Sequence, residues 1–218
     1  ISSGLNFKDD KEAARSHLML PKNNMVVALL PGSRKSEIDY MLDTFLETSR
    51  RLRETQKTVS FVVPCVSEAL QKQIDNQIAS ANFVDVSTYV GDAKIALFAC
   101  DVVLSKSGTV TLEAALIKRP MVVAYKLGPV THFLLRFLVK SRFFALPNLV
   151  LDKELVPEFI QQEATPDNLC AAVLRELKRF EDDPSYLGGL ESVCDSLRKN
   201  ANVQAAKIFH AFLQARVK

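Results

Sequence analysis

The chain predicts an α/β protein, a parallel sheet with helices on both faces, on three observations. Short, continuous apolar runs such as Met25–Leu30 and Met121–Tyr125 recur along it, too short for helices and without the alternation of a strand that has one wet face. Helical patterns separate these runs, which is the connection that parallel strands require. Two of the runs give way directly to small, turn-forming residues, at Pro31-Gly32-Ser33-Arg34 and Ser107-Gly108-Thr109.

Taken in order, residues 1–22 read as a linker with a short helix. Asp9, Asp10 and Glu12 lie early in it, Arg15 late, and Pro21 ends it. Residues 23–200 read as the α/β domain. Its first strand is Met25–Leu30, followed by a helix from Ser36 to about Arg53, with Ser36 and Asp39 resembling a capping box. Ile38, Leu42, Phe45, Leu46 and Leu52 supply that helix's apolar stripe. Val59–Val63 is a strand, Ser67–Ala79 a helix and Phe83–Val86 a short strand; Asp92 opens a helix to Ala99. Val102–Leu104 is a strand, Gly108 opens a helix to about Ile117, and Met121–Tyr125 is a strand. Val130–Phe144 is helical. Thr165-Pro166-Asp167 begins a capped helix, with Pro166 suited to its first turn. Asp182-Asp183-Pro184 begins another, with Gly188-Gly189 as a weak point. Asn202–Arg216, within 201–218, is a final amphipathic helix.

Composition narrows the function classes. With 218 residues and 48% hydrophobic content, the chain can fold on a core without staples. A net charge of +3 is too small to argue for nucleic acid. Cys65, Cys100, Cys170 and Cys194 are widely spaced, so a reduced, cytosolic setting with inert core thiols fits better than a zinc site or a disulfide framework. Three scattered histidines make a metal centre improbable. The start at Ile1-Ser2-Ser3-Gly4 reads as a fragment, a processed product or a trimmed chain. No apolar run approaches the ~20 residues that span a bilayer, so the protein is expected to be soluble or to lie on a membrane surface.

The chemistry is expected at the carboxyl ends of the strands, where open α/β sheets bind ligands. Pro31-Gly32-Ser33-Arg34, Ser107-Gly108-Thr109 with Glu113, and Leu146-Pro147-Asn148-Leu149 are expected to converge there on a nucleotide diphosphate. Gly32 permits close approach of backbone to ligand, Ser33 adds a donor and Arg34 a fork for phosphate. An ordinary strand–helix turn with a solvated arginine is the competing reading. Glu113 lies in an apolar helix one turn after Thr109. It fits either a ribose diol or a glutamate favoured by the helix dipole. Asn148 fits a sugar or phosphate contact, or a turn asparagine satisfying its own backbone. In Val130–Phe144, His132, Arg136 and Lys140 recur at four-residue spacing among Phe133, Leu134, Leu135, Phe137, Leu138 and Val139. That pattern fits an interfacial helix or a core helix with one wet stripe. No Ser/His/Asp set and no pair of carboxylates presents a catalytic base.

The blocks Ala28–Arg34, Ser107–Glu113, Pro120–Tyr125 and Leu146–Leu149, with Asn200-Ala201 and Ala205-Ala206 near the end, resemble the lipid-A-disaccharide synthase family in order and spacing. The resemblance runs from about Asp10 to the end. It implies a GT-B glycosyltransferase, in which two Rossmann-like domains face each other across a cleft, and this chain is similar to the C-terminal, donor-binding half with its preceding linker. The implied reaction joins UDP-2,3-diacylglucosamine to 2,3-diacylglucosamine 1-phosphate with inversion, releases UDP and uses no metal or other cofactor. The resemblance implies Gly32, Ser33, Arg34, Ser107, Gly108, Thr109, Glu113 and Asn148 as substrate-binding residues. Among these Arg34 stabilises the leaving UDP, Glu113 holds the ribose, and Asn148 lies beside the phosphates or donor sugar. No residue of this chain matches the family's base, so the chain alone is expected to be inactive. The resemblance further implies a peripheral place on the cytoplasmic face of the inner membrane of a Gram-negative-type bacterium, through Phe133, Arg136, Phe137 and Lys140. The protein's own N-terminal domain is an implied partner, and residues 201–218 are expected to pack on it, in an arrangement that allows a domain-swapped homodimer. Two rivals remain at this stage: another UDP-sugar GT-B enzyme, of the lipid II-forming or UDP-N-acetylglucosamine 2-epimerase type, and a non-catalytic nucleotide-binding or membrane-docking module.

Overall fold

The run Met25–Leu30 becomes the central strand β1, in which every residue after Met25 is buried. It is one of six parallel strands in a computed structural model that describes residues 11–81, 85–126 and 142–198. The others are β2 (Val59–Cys65), β3 (Val86–Val90), β4 (Val102–Lys106), β5 (Met121–Tyr125) and β6 (Glu158–Ile160), in the spatial order β3-β2-β1-β4-β5-β6. The register sets Met25 beside Val59, Val27 beside Val102 and Val103 beside Met121. After β1 the chain steps outward to β2 and β3, then returns to the other side of β1 as β4. The order therefore reverses between β1 and β4, and a crevice opens outside the carboxyl ends of those strands.

Alternate residues of the strands face opposite layers, as a period of two requires. Val27, Leu29, Phe61, Val63, Val102, Leu104 and Val122 face α2 (Lys35–Thr55), α3 (Glu68–Ser80) and α7 (Pro166–Asp182). Val26, Ala28, Val62, Val103, Met121 and Val123 face α1 (Lys11–His17), α4 (Ala93–Ala99), α5 (Val110–Leu116), α6 (Leu146–Leu151) and the helix α8 of residues 184–198. The middle of a sheet covered on both sides has no wet face, which is why the central strands β1 and β5 read as unbroken apolar runs; the outer strand β3 begins at Val86, where the expected strand Phe83–Val86 ends, and is only partly buried.

Local chemistry sets the helix starts. Thr165 caps α7, accepting from the Asn168 amide at 3.2 Å, and Asp92 caps α4 through the Lys94 amide at 3.0 Å. The start of α2 differs from expectation. The helix begins at Lys35 with Arg34 as its N-cap, and Glu37, not Asp39, supplies the capping carboxylate. Asp39 lies two residues further along and accepts from Gln73 Nε2 at 2.8 Å. Residues 11–22, read as a linker with a short helix, do carry that helix, but it is docked on the domain. Arg15 is buried and donates to the carbonyls of Ala99, Lys22 and Asn24 and to the Asp101 carboxylate. The weak point at Gly188-Gly189 is helical. A Cβ on Gly189 would stand 2.3 Å from Leu155 Cδ1, so its glycine lets α8 lie against that side chain. Strand β6 was not anticipated, because three half-buried residues carry no periodicity.

Candidate functional site

At the switch point the loop after β1 and the loop after β4 face each other across a cleft of about 370 Å³. Gly32, Ser33, Arg34 and Glu37 line one wall, and Lys106, Ser107, Gly108, Thr109 and Val110 the other; Pro64, Gly91 and Ala93 contribute from the side of β2 and α4.

The first wall is shaped by Gly32 and Glu37. Gly32 has φ of +135°, a conformation that residues with a Cβ rarely adopt. A Cβ there would also lie 2.5 Å from Glu37 Cβ. Both requirements select glycine, and the group that approaches closely is the chain's own Glu37. Its Oε2 accepts from the amides of Ser33 at 3.0 Å and Arg34 at 3.3 Å, and its Oε1 accepts from Lys106 Nζ at 2.9 Å. The Arg34 guanidinium lies 3.7 Å from the same Oε1 and is 81% exposed, open to a ligand. Burial alone would raise the Glu37 pKa. The hydrogen bond from Lys106, the Ser33 amide, the charge of Lys106 and the Arg34 amide outweigh it and hold the carboxyl below its ordinary value of 4.5.

In the second wall, Ser107 is fixed at both ends. Its amide donates to the Ala124 carbonyl at 3.2 Å and its hydroxyl to the Phe144 carbonyl at 2.6 Å. Thr109 is exposed at the rim. A Cβ on Gly108 would meet nothing within 4 Å, so this glycine faces open space. Glu113 lies on α5, one turn beyond Thr109, half-buried and outside the cleft lining.

The third segment does not reach the cleft. Asn148 is fully buried and all its hydrogen-bonding positions are taken. Its Nδ2 donates to the Val156 carbonyl at 2.8 Å and Glu158 Oε1 at 2.6 Å, while its Oδ1 accepts from the Leu155 and Val156 amides at 2.8 and 2.9 Å. A side chain so engaged has no group left for a sugar or phosphate. This corrects the substrate contact expected of it. Asn148 instead braces the second wall, since Glu158 Oε2 accepts from the Phe144 amide at 2.7 Å and the Phe144 carbonyl holds Ser107. Phe133, Arg136, Phe137 and Lys140 lie outside the described residues, as do residues 201–218, where a final helix was expected. The cysteines are all buried, and Cys65 is pushed up to about 11, first by burial and then by Asp75, which keeps it a thiol.

The sequence reading missed Glu37 and Lys106. Each is an ordinary residue alone, and they meet only because β1 and β4 are neighbours. The available signal was position: Glu37 at the third residue of α2, and Lys106 at the end of a strand, directly before the Ser107 loop.

Residues 3–210 match the lipid-A-disaccharide synthetase family. The chain belongs to that family. It is 41% identical over 207 residues to the lipid-A-disaccharide synthase of Pseudomonas aeruginosa strain UCBPP-PA14, covering 95% of this chain and 54% of that protein. The chain thus spans about half the length of the curated relatives it matches. Among solved structures, the Escherichia coli ADP-heptose LPS heptosyltransferase II aligns with a TM-score of 0.57 at 14% identity, over 78% of this chain and 52% of that one. The C-terminal CMP-Kdo binding domain of WaaA from Acinetobacter baumannii aligns with a TM-score of 0.55 at 14% identity, over 86% of this chain and 97% of that one. These likenesses identify the fold, the Rossmann-like domain of GT-B glycosyltransferases. Membership of the synthetase family separates this chain from the epimerase and lipid II-forming types considered above. Among the described residues, no helix is long and apolar enough to cross a membrane.

Proposed function

We propose that the cleft binds the UDP moiety of a UDP-sugar, and that this chain is the donor-binding part of a glycosyltransferase joining UDP-2,3-diacylglucosamine to 2,3-diacylglucosamine 1-phosphate. The observation that carries the reading is the meeting of Gly32-Ser33-Arg34 and Lys106-Ser107-Gly108-Thr109 across one cleft at the switch point, in a member of this family. In this reading Ser33 and Arg34 contact the diphosphate, Gly108 and Thr109 line its path, and Glu113 holds the ribose. Negative charge grows on the departing UDP as the glycosidic bond breaks. A guanidinium fixed beside it lowers the barrier by electrostatic stabilisation, the role given to Arg34. Both substrates carry acyl chains. A peripheral place on the inner membrane follows, with the basic, aromatic segment around Arg136 and Lys140 at the lipid surface. The part of the relatives outside the match would hold the acceptor.

Calorimetric titration of the chain with UDP tests the donor reading. Binding is expected, and Arg34→Ala and Glu113→Ala are expected to weaken it by about ten-fold or more each, the worth of one hydrogen bond to a charged group. Unchanged affinity in both folded variants would overturn the residue assignment.

A further inference from the structure

Lys106 ends β4 and is 12% exposed. Its ammonium is held between two groups, Glu37 Oε1 at 2.9 Å and the ring of Tyr125, 4.8 Å from the centroid. The Tyr125 ring in turn stacks on Phe144, with centroids 6.5 Å apart. Glu37 gathers, with one carboxylate, the Lys106 ammonium, the amides of Ser33 and Arg34, and at longer range the Arg34 guanidinium. Ammonium, guanidinium and loop amides are the donors that bind phosphate oxygens. The carboxylate is thus an anion already standing among the groups that another anion would use. A diphosphate brought beside it would meet like-charge repulsion, strengthened where the cleft excludes water. An empty site without it would leave a largely buried ammonium unpaired. Exchange of one anion for the other avoids both costs, and Glu37 stands in the first turn of α2, at the cleft's edge.

We propose that Lys106 is a diphosphate-binding residue of this cleft, and that Glu37 is its resting partner, an internal anion displaced when a nucleoside diphosphate binds. The proposal rests on the reading of the cleft as a UDP site. Lys106 enters from β4 and Arg34 from the loop after β1, so the diphosphate is gripped from both sides of the switch point. Arg34, at 81% exposed, is the outer clamp, and Lys106, at 12% exposed, is the inner one.

The test is calorimetry on the 218-residue chain with UDP, inorganic pyrophosphate and uridine, for the parent, Lys106→Met, Glu37→Gln and the double variant, each with its melting curve. Lys106→Met is expected to weaken UDP and pyrophosphate by about ten-fold or more and leave uridine unchanged. Glu37→Gln removes the competing charge but keeps the side chain's shape. It is expected to strengthen UDP and pyrophosphate several-fold, again without effect on uridine, and the gain should vanish in the double variant. If Lys106→Met melts early, Lys106→Gln carries the same expectation. Parent-like UDP affinity in folded Lys106 variants would overturn the role of Lys106. Weaker UDP binding in Glu37→Gln would make Glu37 a structural support and overturn the exchange. Failure of the parent to bind UDP at all would remove the donor-site reading, and the proposal with it.

Discussion

Two residues of the expected site, Gly108 and Asn148, respond in opposite ways to the same substitution. Asn148→Ala would strip partners from the Leu155 and Val156 amides and from Glu158, all buried or half-buried. A loss of about 2–4 kcal/mol of stability is expected, since unsatisfied buried donors cost about 1–3 kcal/mol each. UDP affinity of the folded protein should stay within about threefold, because Asn148 is buried outside the cleft lining. Gly108→Ala places a methyl in open space at the cleft wall and should leave the melting temperature nearly unchanged. It should cut UDP affinity by about ten-fold through steric conflict with the phosphates. Denaturant melts and calorimetry on the two variants check both halves; a Gly108→Ala protein that binds like the parent would remove Gly108 from the site. The sequence marked Gly108 as part of a small-residue helix start and Asn148 as a polar residue in an apolar segment. It could not show where the amide of Asn148 finds its partners. Those lie seven to ten residues ahead, in a turn and a strand too short to be seen in the pattern. Gly32 was legible as a point of close approach, but the group that closes on it, Glu37, was not.

At the scale of elements, the central strands β1, β4 and β5 were the most legible, because burial on both faces leaves a continuous apolar run; β3, expected at Phe83–Val86, runs Val86–Val90 and has no fully buried residue to mark it. Helix starts were readable where the cap is a side-chain oxygen, as at Thr165 and Asp92, and misplaced where the cap is an arginine backbone served by Glu37. Helix α1 could not be recognised as docked, since what ties it down are partners in later segments, the carbonyls and the Asp101 carboxylate that Arg15 and Lys11 reach. The segment Val130–Phe144 makes a prediction of its own. Its sequence has no acidic residue, and His132, Arg136 and Lys140 recur at four-residue spacing among phenylalanines and leucines. Cations near anionic headgroups add about 1 kcal/mol each to apolar insertion. The chain should float with liposomes containing phosphatidylglycerol and less with neutral ones. Arg136→Glu with Lys140→Glu should abolish the difference. Absence of flotation with either lipid would argue for a core helix with one wet stripe.

For the whole molecule, the proposed donor site accounts for one half of the reaction proposed above. Inverting transfer needs stabilisation of the departing UDP and a base for the acceptor hydroxyl. In that proposal the first comes from Arg34, Lys106 and the loop amides, which line one cleft. Among the described residues lining the cleft, the one carboxylate is Glu37. It is held below its ordinary pKa and accepts from two amides and Lys106, which makes it a weak proton acceptor. A base must therefore come from outside this cleft, and the relatives have close to twice the length to provide one. The expectation is that the chain binds UDP but forms no disaccharide from UDP-2,3-diacylglucosamine and 2,3-diacylglucosamine 1-phosphate. Fusion to the remaining part of a relative should restore turnover, and Arg34→Ala in that fusion should lower kcat more than it raises KM, since the charge it meets is largest in the transition state. Product formation by the purified chain alone, measured by thin-layer chromatography of radiolabelled acceptor, would mean that a base within these 218 residues serves the reaction, and Glu37 would be the first to substitute.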